Sequence, residues 1–339
     1  MAPARAGTYE VPACDAAPGG ANNSWTRSAT LGMATSTACP TQRQEVRGII
    51  AASGLNAGNV PLFSKSTYSF DAPAGTTIEQ LRAQFSIHRS DPYWTVGISA
   101  DERQLVGCLA NEPHNLCVYD TSWPGVTQTF NMSGAHNLKV QSACESLTGC
   151  STQAIDPPYY ERVGVHLYSA VVKVRDDSAP SVRTVDGAIT TGGWLAGGHY
   201  LGHAASDNTG ISETRLYIDN RRVDDRSRDC DYTKRIPCTD LAYGRYLVDT
   251  RPLSDGVHRY RLEARDAAGN VGSVSGEIDA DNTPPDMPAD VAVDGGENWR
   301  SSNGFHLRWT NPASAAPISS AHYELCNTET STCVTGIRR

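Results

Sequence analysis

Polar and apolar residues alternate with a period of two along much of the chain. Residues 81–87 place Leu81, Ala83, Phe85 and Ile87 on one face and polar groups on the other. Similar runs cover 93–99, 138–142 and 163–169, with Gly, Pro, Asn and Asp between them. This period is typical of half-buried strands, and no long amphipathic helix is evident. We therefore predict an all-β fold.

Two joints rich in Asp and Pro interrupt this pattern, at 176–180 and 279–286. Proline lacks the N–H that a sheet ladder needs and stiffens the chain, as a linker between domains requires. We therefore predict domains at 7–175, 181–280 and 285–339. The first is longer than an immunoglobulin unit of about 100 residues, so we expect a jelly-roll-like β-sandwich there, with glycan binding as a hypothesis.

The second domain has the size and strand order of an immunoglobulin sandwich. Residues 199–205, 214–219, 258–265 and 271–278 are predicted as its strands B, C, F and G. The motifs are ASDNTGI at 205–211, LSDGVH at 253–258 and RDAAGNVG at 265–272. With these motifs, residues 180–280 resemble the immunoglobulin-like modules of bacterial extracellular proteins. The resemblance implies the fold and leaves the function open.

The third domain resembles part of a fibronectin type III module. Residues 305–312 are similar to its B strand, with Trp309 expected to be buried, and residues 321–326 to its C strand. About half of the roughly 100 residues of such a sandwich are present, so we expect the natural protein to continue past Arg339. Taken together, the three segments resemble secreted actinobacterial proteins with a disulfide-bearing β-sandwich ahead of immunoglobulin-like modules.

The ten cysteines form five pairs whose members are close together in the sequence. The pairs are Cys14/Cys39, Cys108/Cys117, Cys144/Cys150, Cys230/Cys238 and Cys326/Cys333. None has the C-x-x-C spacing of a zinc site, so we predict five local disulfides and an oxidising location, extracellular or at the cell surface. Residues 1–7 are typical of the small-residue segment that follows a signal-peptide cleavage site.

The charge balance and the hydropathy exclude two classes of partner. The net charge is -8, so the long-range positive field that attracts nucleic acid is absent. There is no run of about 18 apolar residues, so we predict no membrane-spanning helix.

The strong enzyme signatures are missing, because no nucleophile elbow, H-E-x-x-H motif or phosphate-binding loop occurs. A pair of carboxylates for glycoside hydrolysis stays open, since such a pair is spatial rather than sequential. The first domain offers Asp71, Glu79, Asp91, Asp101, Glu102, Glu112, Asp120, Glu145, Asp156 and Glu161. Their turn-rich surroundings favour surface roles.

Aromatic residues supply the candidate ligand-binding side chains. Tyr93 and Trp94 follow Asp91-Pro92, and Trp123 precedes a proline, so all three are predicted in loops or at strand ends. Exposed aromatic faces stack on the apolar faces of sugar rings. The alternative is that Trp94 and Trp123 anchor the core.

Acidic residues around the first joint supply the candidate metal ligands. In an immunoglobulin sandwich, the B–C and F–G loops lie at the end where strand A enters. That places Asp176, Asp207, Asp266 and Asn270 together, and their oxygens suit Ca²⁺. The second joint has a similar set in Asp279, Asp281, Asn282 and Asp286. The alternative is that these residues only shape turns through their own backbone.

The sequence thus predicts a secreted, non-enzymatic binding or adhesion protein, with carbohydrate or another cell-surface polymer as the first ligand class. One alternative is a non-catalytic accessory region of a larger secreted hydrolase, and another is a glycan-cleaving enzyme in the first domain. No cofactor other than Ca²⁺ is implied. The ligand and the oligomeric state stay open.

Overall fold

The computed structural model describes residues 7–40, 48–54, 58–89, 92–111, 125–152, 163–296, 298, 301, 304–327 and 329–338. The secondary structure is almost entirely strand, apart from a 3-10 turn at Pro18–Gly20 and the short helix α1 at Ala188–Thr191. The prediction of an all-β fold is confirmed. Among the residues described, no helix has the length and apolar character needed to cross a membrane.

The described residues of the first part of the chain form thirteen strands. They are β1 (Gly7–Cys14), β2 (Thr26–Ala29), β3 (Met33–Ala38), β4 (Gly48–Ser53), β5 (Asn59–Val60), β6 (Lys65–Asp71), β7 (Thr76–Arg89), β8 (Trp94–Ala100), β9 (Arg103–Cys108), β10 (Val126–Ala135), β11 (Asn137–Cys144), β12 (Cys150–Ser151) and β13 (Val163–Asp176). One sheet has the order β10-β7-β13-β4-β3, with β1 also paired to β13, and the second has the order β2-β6-β11-β8-β9.

The strand order is that of a jelly roll. Eight strands form the two facing sheets β4-β13-β7-β10 and β6-β11-β8-β9. Numbered one to eight in chain order, they are arranged 1-8-3-6 and 2-7-4-5, which is the order of a double-sheet jelly roll. The prediction of a jelly-roll-like sandwich is therefore confirmed.

A single apolar core lies between these two sheets. The period-two segments turn one face inward: Leu81 and Phe85 of β7, and Val172 and Val174 of β13, are fully buried. Burying each such side chain stabilises the fold by about 1.5–3 kcal/mol. β7 and β13 stay paired over almost their whole length, from Val163 beside Arg89 to Asp176 beside Thr76, with two shifts of register between them.

The middle part of the chain forms an immunoglobulin-like sandwich. Its strands are β14 (Ser181–Thr184), β15 (Trp194–Leu195), β16 (Gly198–Ser206), β17 (Ile211–Ile218), β18 (Arg221–Ser227), β19 (Leu241–Asp249), β20 (Gly256–Asp266) and β21 (Val271–Ala280). The sheets have the orders β14-β16-β19 and β15-β21-β20-β17-β18. The predicted B, C, F and G strands are β16, β17, β20 and β21, which place the B–C and F–G turns at one end.

The last part of the chain forms two separate two-stranded sheets. The strands are β22 (Ala289–Val293), β23 (Leu307–Thr310), β24 (Ala321–Asn327) and β25 (Thr332–Arg338), paired β22 with β23 and β24 with β25. Trp309 of β23 is 36% exposed, so the prediction that it is buried is wrong. A sandwich strand buries one face only where a second sheet covers it, and all four residues of β23 are exposed.

Four of the predicted local disulfides are present. They join Cys14 to Cys39, Cys144 to Cys150, Cys230 to Cys238, and Cys326 to Cys333. Cys117 of the fifth predicted pair lies outside the described residues. The four bridges indicate an oxidising, extracellular environment.

The two tryptophans Trp94 and Trp309 provide a matched test of this fold. We expect Trp94→Ala to lower the free energy of unfolding of the jelly roll by about 3–5 kcal/mol, because the ring is fully buried. Trp309→Ala should change it by less than about 0.5 kcal/mol. Urea denaturation followed by near-UV circular dichroism measures both. Equal losses in the two variants would contradict the described core.

Candidate functional site

Trp94 does not lie on a ligand-binding surface. It is the first residue of β8, all seven residues of that strand are buried, and its ring is fully enclosed in the core. The prediction that Trp94 binds a ligand is therefore wrong, because the strand begins one residue after Tyr93 and turns the indole inward. Tyr93 itself is exposed. Trp123 lies outside the described residues, and its role stays a prediction.

Five large apolar side chains of the described residues are exposed at the end of the jelly roll farthest from Asp176. Besides Leu109 (46% exposed), they are Leu31 (96%), Phe63 (70%), Tyr93 (49%) and Leu147 (90%), and we call these last four the distal patch. Sequence analysis identified only Tyr93. The sequence signal for Phe63 is the short Pro61-Leu62-Phe63 run between two strands. Periodicity alone fits this run to a strand as readily as to a turn.

Members of the distal patch line a common groove and are linked through main-chain hydrogen bonds. Leu31 and Phe63 line the same groove, whose volume is about 500 Å³. The Phe63 N–H donates to the carbonyl of Cys144 (2.9 Å), and the Glu145 N–H donates to the carbonyl of Tyr93 (2.9 Å). The disulfide loop 144–150, which carries Leu147, is thus tied to both aromatic residues.

Phe63 is displayed by an unusual backbone conformation. Its φ is +66°, in the left-handed region that residues with a side chain seldom adopt and that costs on the order of 1 kcal/mol. Asn59, Thr30 and Ser64 line the same groove. Asn59 is exposed, whereas Ser64 is buried and the Thr30 hydroxyl is bonded to the main chain of Lys65. The groove therefore places an exposed aromatic ring beside an exposed side-chain amide.

At the opposite end of the jelly roll, the structure brings together the four residues predicted at the first joint. Asp176 ends β13, Asp207 lies in the turn between β16 and β17, Asp266 ends β20, and Asn270 precedes β21. One carboxylate oxygen from each of the three aspartates lies within 4.8 Å of the other two. We call these four residues the joint cluster.

Turn hydrogen bonds orient the carboxylates of the joint cluster. Asp207 accepts hydrogen bonds from the N–H (2.9 Å) and the hydroxyl (2.8 Å) of Thr209. The same hydroxyl lies 3.1 Å from the second carboxylate oxygen of Asp176. Asp266 accepts from the N–H (2.8 Å) and the side-chain amide (2.7 Å) of Asn270. The turn chemistry expected from the sequence and the convergence of the carboxylates therefore coexist.

The electrostatic environment of the joint cluster is strongly negative. Asp176 and Asp266 are buried, and in the described part of the chain neither forms an ion pair. The neighbouring cations turn elsewhere, since Arg175 pairs with Asp177 and Arg265 with Glu213. Burial, together with the charges of Asp207 and Asp176, raises the pKa of Asp266 to about 6. Burial likewise raises the pKa of Asp207.

The second joint does not gather its acidic residues in this way. Asn282 donates its side-chain amide to the carbonyl of Thr250 (2.8 Å), and Asp281 accepts from the N–H of Ala316 (3.2 Å). Among the described residues, Asp279, Asp281 and Asp286 form no convergent group of three ligands. The prediction of a second calcium site there is therefore wrong, because the acidic groups do not converge and Asp281 and Asn282 bond to separate structural partners.

Several candidate catalytic carboxylates of the first domain have structural partners. Glu79 pairs with Lys173, Glu102 with Lys139, Asp71 with Asn137 and Arg235, and Asp101 with the N–H groups of His136 and Asn137. Asp91, Glu112, Asp120, Asp156 and Glu161 lie outside the described residues. A surface role explains the described contacts.

Comparison with known proteins gives only distant structural matches. The chain matches no protein-family model, and no curated protein gives a significant match. The fibronectin(III)-like modules of Clostridium thermocellum CbhA are 14% identical, with a TM-score of 0.24, over 71% of this chain and 93% of that chain.

Two further solved structures are similar at the same level. The M60 catalytic domain with the CBM51-1 and CBM51-2 domains of Clostridium perfringens ZmpB is 13% identical (TM-score 0.23), over 90% of this chain and 27% of that chain. A β-glucuronidase from Ruminococcus gnavus is 12% identical (TM-score 0.17), over 74% of this chain and 39% of that chain. TM-scores this low carry no argument about function.

The raised pKa of Asp266 predicts a pH-dependent stability in the presence of a chelator. The folded protein holds the Asp266 proton up to about pH 6, whereas the unfolded chain releases it near its ordinary value of 3.8. The contribution of Asp266 to the free energy of unfolding is therefore fully present below about pH 4. It is lost as pH rises through about 6. We expect Asp266→Asn to melt at a higher temperature than wild type at pH 7.5 in EDTA.

Scanning calorimetry at pH 4 and pH 7.5 checks this difference. Near pH 4 the two melting temperatures should lie closer together, because Asp266 is then neutral in the folded protein and has lost only part of its proton in the unfolded chain. A difference between the two proteins that is the same at both pH values would contradict the prediction.

Proposed function

We propose that this chain is a secreted, non-enzymatic binding protein that captures a glycan at the distal patch of its jelly roll. The observation that carries this proposal is Phe63, an aromatic ring 70% exposed on a strained left-handed backbone beside a groove. Strained conformations persist where the surrounding structure over-determines them, and they cluster at binding sites.

The chemistry of the groove favours a carbohydrate over an extended peptide. Sugar rings have apolar faces that pack on aromatic rings, and hydroxyl edges that need hydrogen-bond partners. Phe63 and Tyr93 provide rings, while the exposed Asn59 offers a side-chain amide at the rim of the groove. We infer a cell-surface polysaccharide as the ligand class.

The immunoglobulin-like sandwich serves as a carrier that presents this patch. Its disulfide-closed loop 230–238 packs on the jelly roll: the Tyr9 hydroxyl donates to the carbonyl of Arg235 (2.6 Å), and Asn23 donates to Thr233 (2.8 Å). Arg235 also pairs with Asp71 at 3.4 Å. These contacts lie near the joint, so the distal patch faces away from the carrier, as an adhesion module requires. The resemblance of residues 180–280 to bacterial extracellular modules supports the same role.

The proposal predicts a loss of glycan binding when the Phe63 ring is removed. We expect Phe63→Ser to weaken binding by at least about tenfold, since stacking on one ring contributes about 0.5–1.5 kcal/mol beyond the area it buries. Phe63→Tyr should bind like wild type. A glycan array, followed by pull-down with insoluble cell-wall polysaccharides, identifies the ligand and measures the change.

Phe305→Ser is the matched control, because Phe305 is another exposed phenylalanine, in the last part of the chain. It should bind like wild type. The proposal is wrong if wild type binds no glycan in either assay, or if Phe63→Ser retains full affinity.

A further inference from the structure

The joint cluster has the geometry of a cation site shared by two modules. Its three carboxylates come from three separate elements, and their ligand oxygens lie within 4.8 Å of one another. Oxygens on opposite sides of one Ca²⁺ are separated by up to about 5 Å, because Ca–O distances are 2.3–2.6 Å. The three oxygens can therefore contact a single ion without rearrangement of the backbone.

The burial of these carboxylates calls for a positive partner. Asp176 is fully buried, Asp266 is nearly so, and the described residues provide neither with an ion pair. A buried charge that lacks a partner is costly, and buried charges are normally paired or coordinate a metal. A bound cation provides the missing compensation.

An independent observation is the unpartnered side-chain oxygen of Asn270. Asn270 is only 4% exposed, and its amide nitrogen donates to the carboxylate of Asp266 (2.7 Å) and to the main-chain carbonyl of Asp176 (3.1 Å). The side chain thus lies between two members of the cluster. Its Oδ1 is buried and has no hydrogen-bond partner in the described part of the chain. Such an oxygen normally has a partner, so its position points to a ligand.

Asn208 adds a second amide oxygen next to the cluster. Its amide nitrogen donates to the carbonyl of Ala74 in the jelly roll (3.0 Å) and lies 3.4 Å from the carboxylate of Asp176. Its Oδ1 is also buried without a hydrogen-bond partner among the described residues. A second asparagine side chain with an unpartnered oxygen therefore lies beside the joint cluster.

The donor set selects among cations. It contains only oxygens, whereas Zn²⁺ sites are built mainly from cysteine and histidine. Mg²⁺ demands octahedral geometry at about 2.0–2.1 Å and usually keeps several waters, which a buried cluster does not favour. Ca²⁺ takes 6–8 oxygens in flexible geometry, including amide and main-chain carbonyl oxygens.

We propose that the joint cluster binds one Ca²⁺, held by Asp176, Asp207, Asp266 and Asn270, and that this ion ties the jelly roll to the immunoglobulin-like sandwich. Asp176 is the last residue of the jelly roll. The other ligands lie in or next to the B–C and F–G turns of the immunoglobulin-like sandwich, which face Asp176. The ion would thus fix the orientation in which the distal patch is presented. This inference is independent of glycan binding.

Calcium titration of the metal-stripped full chain tests the proposal. Isothermal titration calorimetry should give one site per chain, and Mg²⁺ at the same concentration should not saturate it. The melting temperature should rise by about 5–10 °C when free Ca²⁺ is a hundred times its Kd, relative to EDTA. Phe63→Ser should bind Ca²⁺ like wild type, which separates this test from that of the distal patch.

Asp207→Asn is the sharpest variant, because asparagine can still accept the turn hydrogen bonds from Thr209 while one carboxylate charge is lost. Asp231→Asn is its matched control. Asp231 accepts the same pair of hydrogen bonds from Thr233, at 3.0 and 2.6 Å, in a half-buried turn that contributes no carboxylate to the cluster. We expect Asp207→Asn to weaken Ca²⁺ binding by at least about tenfold, with no change in Asp231→Asn.

Three results would overturn the proposal. The first is a wild-type chain without binding heat or a melting shift in Ca²⁺. The second is wild-type affinity in Asp207→Asn, and the third is an equal loss in both variants. If the cluster instead holds a shared proton, melting will depend on pH but not on Ca²⁺. Circular dichroism in EDTA confirms that each variant is folded before it is compared.

Discussion

The long antiparallel pairing of β7 with β13 is the interaction on which the rest of the molecule depends. It runs from Val163 beside Arg89 to Asp176 beside Thr76, so one ladder spans the jelly roll from the distal patch to the joint cluster. β4 and β1 both attach to β13 as well. Because side chains alternate along this ladder, its inner face supplies the core, and its last inward residue is the buried Asp176. The same pattern that builds the sandwich therefore delivers a carboxylate to the joint.

The two ends of the jelly roll are unfavourable for opposite reasons. At the distal end, apolar groups that could be buried are exposed, among them Phe63 on a strained backbone. At the joint, carboxylates that would be better solvated are buried. Each arrangement costs stability, and the core between them, with its disulfides, is large enough to tolerate both costs. The proposed binding surface at one end and the proposed Ca²⁺ at the other would together make the jelly roll a module presented by a carrier.

The outcome for particular residues shows how far sequence patterns reach. Period two located β7, β13, β16 and β20, and the spacing of cysteines predicted the four observed bridges. The same reasoning offered Trp94 as an exposed ring in a loop or at a strand end, although it begins a fully buried strand. It also expected Trp309 in a core, where no second sheet of the described residues covers the strand. Whether a tryptophan is buried depends on the facing sheet, and the residues that form that sheet are distant in sequence. Phe63 was missed because its exposure follows from its backbone angle and from its contact with Cys144.

By itself, the sequence determined the strands, the local disulfides and the turns that carry Asp207 and Asp266. These features depend on neighbours within a few residues, so periodicity and turn chemistry are sufficient. The tertiary structure alone decided which candidates meet. Asn270 donates to the carbonyl of Asp176 across 94 residues of sequence, and the similar acidic set at 279–286 stays dispersed. The carboxylates of the joint cluster converge because of the way the two sandwiches dock. No local sequence pattern encodes the distance between side chains that lie far apart in the chain.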